Sequence, residues 1–233
     1  MSVAKPGFSV NGFDPTDLST SAISVVPRQL TVVIACDTFP PDINGAARFA
    51  ERLAGGLVRR GHNVHIIASA YNSSHGTFTE IHDGVEMTVH RLLSFKLPQH
   101  ETLRWQWPFT IGSEAARIFR EIKPDVVHIQ SHLIMGRFIV HAARKAGIRI
   151  VATNHIMPEN LIKYSVIIPP FLEPAAMRWA WRDAGRFFRK VDAVTTPTRR
   201  AAELLEDATG LTDVLAISCG IDASRFKNAT PPT

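Results

Sequence analysis

The chain has 233 residues, of which 45% are hydrophobic and 20% charged, the composition of an ordinary globular protein. Its net charge of +5 favours anionic partners such as phosphates or membrane surfaces. No apolar run is long enough for a membrane span, no Cys/His spacing matches a zinc site, and no nucleic-acid-binding signature is present. We therefore expect no transmembrane helix, no metal and no nucleic-acid partner.

Residues 1–27 are rich in Ser, Pro, Gly and Asp without a sustained period, which predicts a flexible tail. From there to residue 223, apolar β-branched runs alternate with helical stripes. Strands are predicted at 30–36, 63–69, 85–91, 124–130, 148–153, 192–195 and 213–218. Helices are predicted at 46–60, around 111–122, around 138–146 and after Thr198, a residue suited to cap a helix. This alternation predicts one α/β domain over residues 28–223, with a doubly wound, mainly parallel, Rossmann-like sheet.

Sheets of this kind bind ligands beyond the carboxyl ends of their strands. The strand at 148–153 is followed there by Asn154, His155, Glu159 and Asn160. Histidine orients hydroxyls, acts as a general base or stabilises developing charge near neutral pH. A hydrogen-bonded structural histidine is an equally good interpretation of His155.

Two other loops are predicted to open onto the same crevice. Ser131 and His132 follow the strand at 124–130, whereas His128 lies inside that strand and is predicted to be a hydrogen-bonded core residue. Asn44 and Gly45 begin the first helix, where backbone N–H groups can approach an anion. A tight turn with a helix cap is the alternative, and on the loop alone we favour it.

The segment 171–192 mixes aromatic and basic residues and suggests contact with an anionic membrane surface. The membrane-facing candidates are Arg178, Trp181, Arg182, Arg189 and Lys190. The alternative is a long helix that packs its aromatic residues on the sheet and exposes its arginines. We favour this alternative, because the apolar positions form no single stripe.

The two cysteines, Cys36 and Cys219, are far apart in sequence, and no signal peptide is recognisable. We therefore expect free thiols in a cytoplasmic protein, with peripheral contact to the inner face of the membrane as an option. The first strand is not followed by a G-x-G-x-x-G fingerprint, which argues against a nucleotide-dependent oxidoreductase or epimerase.

Five segments together resemble a known family. They are CDTFPPDINGAARFAERLAGGLVRRGHNVHIIAS, KPDVVHIQSHLIMG, GIRIVATNHIMPENL, VDAVTTPTRRAAELL and SCGIDASRF. In this order they look like the N-terminal half of a retaining glycosyltransferase of the GT-B fold, in the nucleotide-sugar-dependent family four, from about residue 30 to about residue 226. The resemblance implies an acceptor-binding domain that faces a second Rossmann-like domain, which holds most of the nucleotide-sugar.

The resemblance also implies residue roles. It places Asn44 and Gly45 against the donor diphosphate, although relatives often carry two glycines there. It places His155 at the donor sugar as the catalytic residue. The acceptor or sugar vicinity would include Ser131, His132, Gly136, Asn154, Glu159 and Asn160.

The expected reaction moves a hexose, such as mannose or glucose, from a nucleotide-sugar to a sugar or lipid-linked acceptor with retention of configuration. The nucleotide-sugar is a co-substrate, and no cofactor is expected. Residues 224–233 resemble the start of the interdomain linker, so we expect that a second domain is missing and that these residues alone are inactive. A non-catalytic single-domain module that binds a sugar, a lipid or a partner chain is the alternative.

Overall fold

The computed structural model describes residues 28–71, 74–96, 104–159 and 169–220. The tail predicted at 1–27, the linker predicted at 224–233 and Asn160 lie outside the described residues. None of the helices in the described ranges is long and apolar enough to cross a membrane.

Eight strands form one sheet in the order β10–β9–β8–β7–β1–β2–β4–β3, and β5 and β6 form a separate ribbon. Every neighbouring pair in the sheet is parallel except β3 with β4. The prediction of a mainly parallel sheet is confirmed. The strands are β1 Thr31–Cys36, β2 Asn63–Ser69, β3 Gly76–His82, β4 Val85–Leu92, β5 Phe95–Lys96, β6 Arg104–Trp105, β7 Val126–Ile129, β8 Arg149–Thr153, β9 Ala193–Thr196 and β10 Leu215–Ala216.

Helices lie on both faces of the sheet, as predicted for a doubly wound fold. They are α1 Gly45–Arg59, α2 Pro108–Ile122, α3 Ile134–Lys145, α4 Glu173–Phe188 and α5 Arg199–Thr209. One core cluster joins β1, through Val32 and Ile34, to α1. The other joins β1, through Val33 and Ala35, to α2, α3 and α4. Successive β1 side chains thus enter opposite cores, which explains the unbroken apolar run at 32–36.

The predicted helix ends are also confirmed where the structure describes them. The Thr198 side chain accepts a hydrogen bond from the Ala201 N–H at the start of α5 (3.1 Å). Gly61 and Gly147, which follow α1 and α3, have φ angles of 85° and 69°. Those left-handed conformations suit glycine after a helix.

Two elements were not predicted from the sequence. Strand β3 lies at the edge of the sheet and is largely exposed, so it lacks the apolar alternation that marks a half-buried strand. The ribbon of β5 and β6 has only two residues in each strand. At the opposite edge β10 is also two residues long, whereas a strand was predicted over 213–218.

Candidate functional site at the carboxyl edge of the sheet

Strands β1, β7 and β8 end side by side. Ala35 pairs with Ile129, and Ile129 pairs with Ala152, in parallel register. The loops that follow these strands therefore meet at one edge, as the sequence predicted. Burial raises the pKa of Asp37, and the Ser131 side chain lowers it; the His155 ring lies 4.8 Å from the Phe49 ring of α1, centroid to centroid.

His155 is held between two elements at this edge. Its Nε2 atom lies 2.8 Å from Oε1 of Gln130, the residue that follows β7. Phe49 of α1 packs against the imidazole. Burial lowers the pKa of His155 to about 4, so the ring is neutral near pH 7. A neutral, oriented imidazole suits hydrogen bonding to a substrate hydroxyl or acceptance of a proton.

His132 and Asn154 are both buried. His132 lies in the loop after β7, and Asn154 precedes His155 in the loop after β8. The His132 ring packs on Phe187 and Phe188 of α4, and burial lowers its pKa to about 4. Its Nδ1 atom has no hydrogen-bond partner among the described residues. The Asn154 side-chain oxygen accepts from the Ile156 N–H at 3.3 Å and shapes the loop. The Asn154 side chain also acts on the pKa of His132, which it raises against the larger effect of burial.

Glu159 connects the site to α4. The Trp181 Nε1–H donates to Glu159 Oε1 at 3.1 Å, and the second carboxylate oxygen is buried without a partner among the described residues. Trp181 is only 8% exposed. The prediction that Trp181 faces a membrane is therefore wrong: its apolar surface enters the core of the domain, and its N–H orients Glu159.

The remaining membrane-facing candidates are basic residues at different positions along α4 and just after its last residue. The helix is about 24 Å long. Arg178 and Arg182 are exposed near its middle, beside Trp179, which is 65% exposed. Arg189 lies just after its last residue and donates a hydrogen bond to the carbonyl of Thr209 in α5. Lys190 is exposed next to it, and its carbonyl accepts from Arg144. As the preferred alternative predicted, the helix buries aromatic residues and exposes its arginines.

Asn44 caps α1, the alternative that we favoured for this loop. Its side-chain oxygen accepts from the Ala47 N–H at 2.9 Å, and the Thr38 hydroxyl donates to the same oxygen at 3.2 Å. Gly45 is exposed, and a Cβ added there meets nothing within 4 Å. The first turn of α1 contains no acidic residue. The positive end of the helix dipole is thus not neutralised by its own first turn and is open to an anion.

Ser131 and Gly136 have packing functions in the loop after β7. The Ser131 hydroxyl accepts from the Leu133 N–H at 3.0 Å. A Cβ added at Gly136 would lie 1.9 Å from the Ser131 carbonyl oxygen. Glycine at 136 therefore allows the start of α3 to approach this loop closely, and any effect of Gly136 on a ligand is transmitted through the loop backbone.

His128 makes the hydrogen bond predicted for it, since its Nε2 lies 2.7 Å from the Thr153 hydroxyl. The ring is nevertheless only partly buried and lines a groove beside α1. Three residues of the site were missed by sequence reasoning: Asp37, Phe49 and Gln130. Asp37 and Gln130 are the first polar residues after β1 and β7, so the rule that selected Asn154 after β8 would also have selected them. Burial raises the pKa of Asp37.

A solved glycosyltransferase from Rickettsia africae aligns with this fold. The TM-score is 0.51 at 15% identity, over 88% of this chain and 47% of that chain. Together with the parallel sheet and the polar crevice at its carboxyl edge, this likeness shows the N-terminal, Rossmann-like half of the GT-B fold. Residues 43–225 match the family described as Glycosyltransferase Family 4. The chain belongs to that family, as its motifs suggested.

Two curated relatives are similar in sequence. A GDP-mannose-dependent alpha-mannosyltransferase of Mycobacterium tuberculosis (strain CDC 1551 / Oshkosh) is 29% identical over 202 residues, which cover 84% of this chain and 48% of the relative. An alpha-monoglucosyldiacylglycerol synthase of Streptococcus pneumoniae (strain ATCC BAA-255 / R6) is 22% identical over 191 residues, which cover 82% of this chain and 40% of the relative. The chain thus spans less than half the length of these relatives.

Proposed function

We propose that this domain is the acceptor-binding half of an enzyme that transfers a hexose from a nucleotide-sugar to an acceptor, with retention of configuration. The observation that carries the proposal is the position of His155. Its neutral ring is held at the carboxyl edge of the sheet by Gln130 and by Phe49, which lies in the second turn of α1. An anion-binding helix end beside a hydroxyl-binding imidazole suits a sugar diphosphate.

In this proposal each loop has a separate task. The N-terminus of α1 at Gly45 approaches the donor diphosphate through backbone N–H groups, while Asn44 holds the helix end in place. His155 contacts the transferred sugar. The acceptor lies towards α4, where the buried Glu159 oxygen and the His132 Nδ1 lack partners among the described residues. A hydroxyl of the acceptor would satisfy either group.

The relatives support hexose donors and, in one case, a lipid product. One is named for GDP-mannose and the other for a glucosylated diacylglycerol. We propose that this protein also takes a lipid-linked acceptor and contacts the membrane peripherally from the cytoplasm. Large aromatic side chains are exposed near the first turns of α2 and α4: Trp107 (55%), Phe109 (85%) and Trp179 (65%). Arg178 and Arg182 add positive charge beside them.

Transfer assays on the full-length gene product test the enzymatic proposal. Radiolabelled GDP-mannose and UDP-glucose serve as donors, and a membrane extract supplies acceptors. We expect transfer with one donor, and a loss of roughly 100- to 10,000-fold in kcat/KM for His155→Ala. The exposed His141 of α3 supplies the matched control, since His141→Ala changes no residue of the site. Equal activity of both variants would refute the role of His155.

We also propose that this 233-residue chain alone gives no transfer above background, since a GT-B site is shared between two Rossmann-like domains. A full rate from the isolated chain would refute this. If the full-length product bound sugars or lipids but transferred nothing with any hexose donor, the non-catalytic binding module would replace the enzymatic proposal.

Vesicle co-sedimentation tests the membrane contact. We expect binding to vesicles that contain phosphatidylglycerol, and weaker binding as salt is raised, because exposed charges are screened. Replacing Trp179 and Phe109 by Ser should weaken binding. Ile81 of β3 is 75% exposed and belongs to neither helix, so Ile81→Ser is the control. No sedimentation at low salt, or an equal loss with the control, would refute the membrane contact.

A further inference from the structure

We propose that Gln130 is a positioning residue that holds His155 as the Nε2–H tautomer and directs the Nδ1 lone pair to a hydroxyl group of the bound sugar or acceptor. The assignment of that hydroxyl rests on the proposed function. The assignment of the tautomer rests on the structure of this domain alone.

The Gln130 side chain is buried, with its amide oxygen towards His155 and its amide nitrogen without a hydrogen-bond partner among the described residues. The residue is 2% exposed, and its backbone N–H donates to the Ala35 carbonyl at 2.9 Å, which continues the pairing of β7 with β1 beyond Ile129. Its side-chain oxygen lies 2.8 Å from His155 Nε2. The imidazole cannot swing freely, because Phe49 of α1 packs against it. The partner and the ring are thus each anchored by a separate element.

The chemistry of an amide oxygen sets the tautomer. Such an oxygen accepts hydrogen bonds and cannot donate, so with the amide oxygen facing the ring, as the structure assigns it, Nε2 carries the proton. A neutral imidazole has one N–H, which leaves Nδ1 as an acceptor. No described residue is hydrogen-bonded to Nδ1 of His155. In this state His155 accepts a hydrogen bond from a substrate hydroxyl, and it does not donate one to a phosphate oxygen.

The surroundings favour this neutral form. Burial is the cause of the lowered pKa of His155, and the titratable group coupled to it is His128 on β7, which is itself neutral near pH 7. Gln130 is uncharged, so it orients the ring without stabilising the imidazolium. A carboxylate at position 130 would orient the ring as well, but it would also favour the protonated form.

Nitrogen-15 NMR of the histidine rings tests the tautomer directly in the purified protein. We expect a protonated Nε2 and an unprotonated Nδ1 for His155, with slow exchange of the Nε2 proton. Gln130→Leu removes the acceptor at similar volume, and the slow exchange should disappear. Gln130→Glu should raise the pKa of His155 by about 1 to 3 units in an NMR titration, since an opposite charge then lies at hydrogen-bond distance.

Gln106 provides the matched control. It is also a buried glutamine, but its amide donates to the Ser69 hydroxyl. Gln106→Glu and Gln106→Leu should leave the His155 resonances and titration unchanged. A protonated Nδ1 in the wild-type protein would show that the amide has the opposite orientation and would overturn the proposal. So would a His155 titration that Gln130→Glu leaves unchanged.

Kinetics of the full-length gene product separate this inference from the proposed function. We expect Gln130→Leu to lower kcat/KM at least about tenfold. Gln130→Glu should keep its activity, but the apparent pKa in its pH–rate profile should be higher than that of the wild-type protein. If the NMR results are as predicted but the wild-type protein transfers no sugar, the proposed function is refuted and the tautomer assignment stands. Normal transfer with unaltered pH profiles in both variants would refute the positioning role and leave the function intact.

Discussion

Gly136→Ala is the most direct perturbation of the geometry on which the site depends. The new Cβ would lie 1.9 Å from the Ser131 carbonyl oxygen and 3.0 Å from the Ile129 side chain. Side chains do not approach oxygen closer than about 3 Å, so the loop after β7 must move by about 1 Å or more. That movement disturbs the hydrogen bond that the Ser131 hydroxyl accepts from the Leu133 N–H.

The expected cost follows from these contacts. Overpacking costs about 1 to 3 kcal/mol, and a disturbed hydrogen bond adds about 1 kcal/mol. Replacing glycine inside a helix returns up to about 1 kcal/mol. We therefore expect Gly136→Ala to lower the free energy of unfolding by roughly 1 to 3 kcal/mol, measured by urea denaturation with circular dichroism.

Gly112 in α2 supplies the control for this measurement. A Cβ at Gly112 would make an ordinary contact of 3.8 Å with Phe138. Gly112→Ala should therefore stabilise the domain by up to about 1 kcal/mol. Should Gly136→Ala prove as stable as Gly112→Ala, the close approach of α3 to the Ser131 loop would be refuted.

Three further predictions concern the donor loop, pH and the sheet edge. Gly45→Ala should leave the urea midpoint unchanged or raised but weaken nucleotide-sugar binding in calorimetry, because its Cβ occupies only the open space at the α1 N-terminus. Arg91→Met should destabilise the domain by roughly 2 to 4 kcal/mol in urea unfolding, because Arg91 is buried and bonds both Glu80 and the Pro40 carbonyl. Burial lowers the pKa values of His90, His128, His132 and His155 to about 4 in the folded protein. Below about pH 6.5 the unfolded chain therefore binds more protons than the folded protein does. The free energy of unfolding should fall from there towards pH 4, by up to roughly 1.4 kcal/mol per pH unit for each histidine. Equal urea midpoints at about pH 7 and about pH 5 would contradict the last prediction.

The buried strands and the location of the site could be predicted because both follow from local patterns. The run at 32–36 enters two cores, so it is apolar throughout, and a parallel sheet places the residues after its strands at one edge. Strand β3 carries no such pattern because both of its faces are largely exposed. Its existence depends on pairing with β4, which is a tertiary interaction.

The direction of individual side chains could not be predicted from the sequence. Trp179 and Trp181 are two residues apart on α4, and only the packing of the helix decides that Trp179 is exposed while Trp181 is buried. The contact of Gln130 with His155 was missed for a related reason. The rule for polar residues after strands selects Gln130 as a site residue, but its partner is 25 residues away in the loop after β8, and no sequence pattern identifies that contact.

The contact between Gln130 and His155 joins the loops after two neighbouring strands, and this has a consequence for how the candidate site forms. Val127 pairs with Ile150 and Ile129 with Ala152, so the register of β7 against β8 decides which residue faces the imidazole. A shift of one residue would turn the glutamine to the opposite face of the sheet. The site is thus completed only when distant segments have paired correctly, and a partly folded chain cannot present a correctly oriented His155. Substrate binding can therefore report the completion of folding.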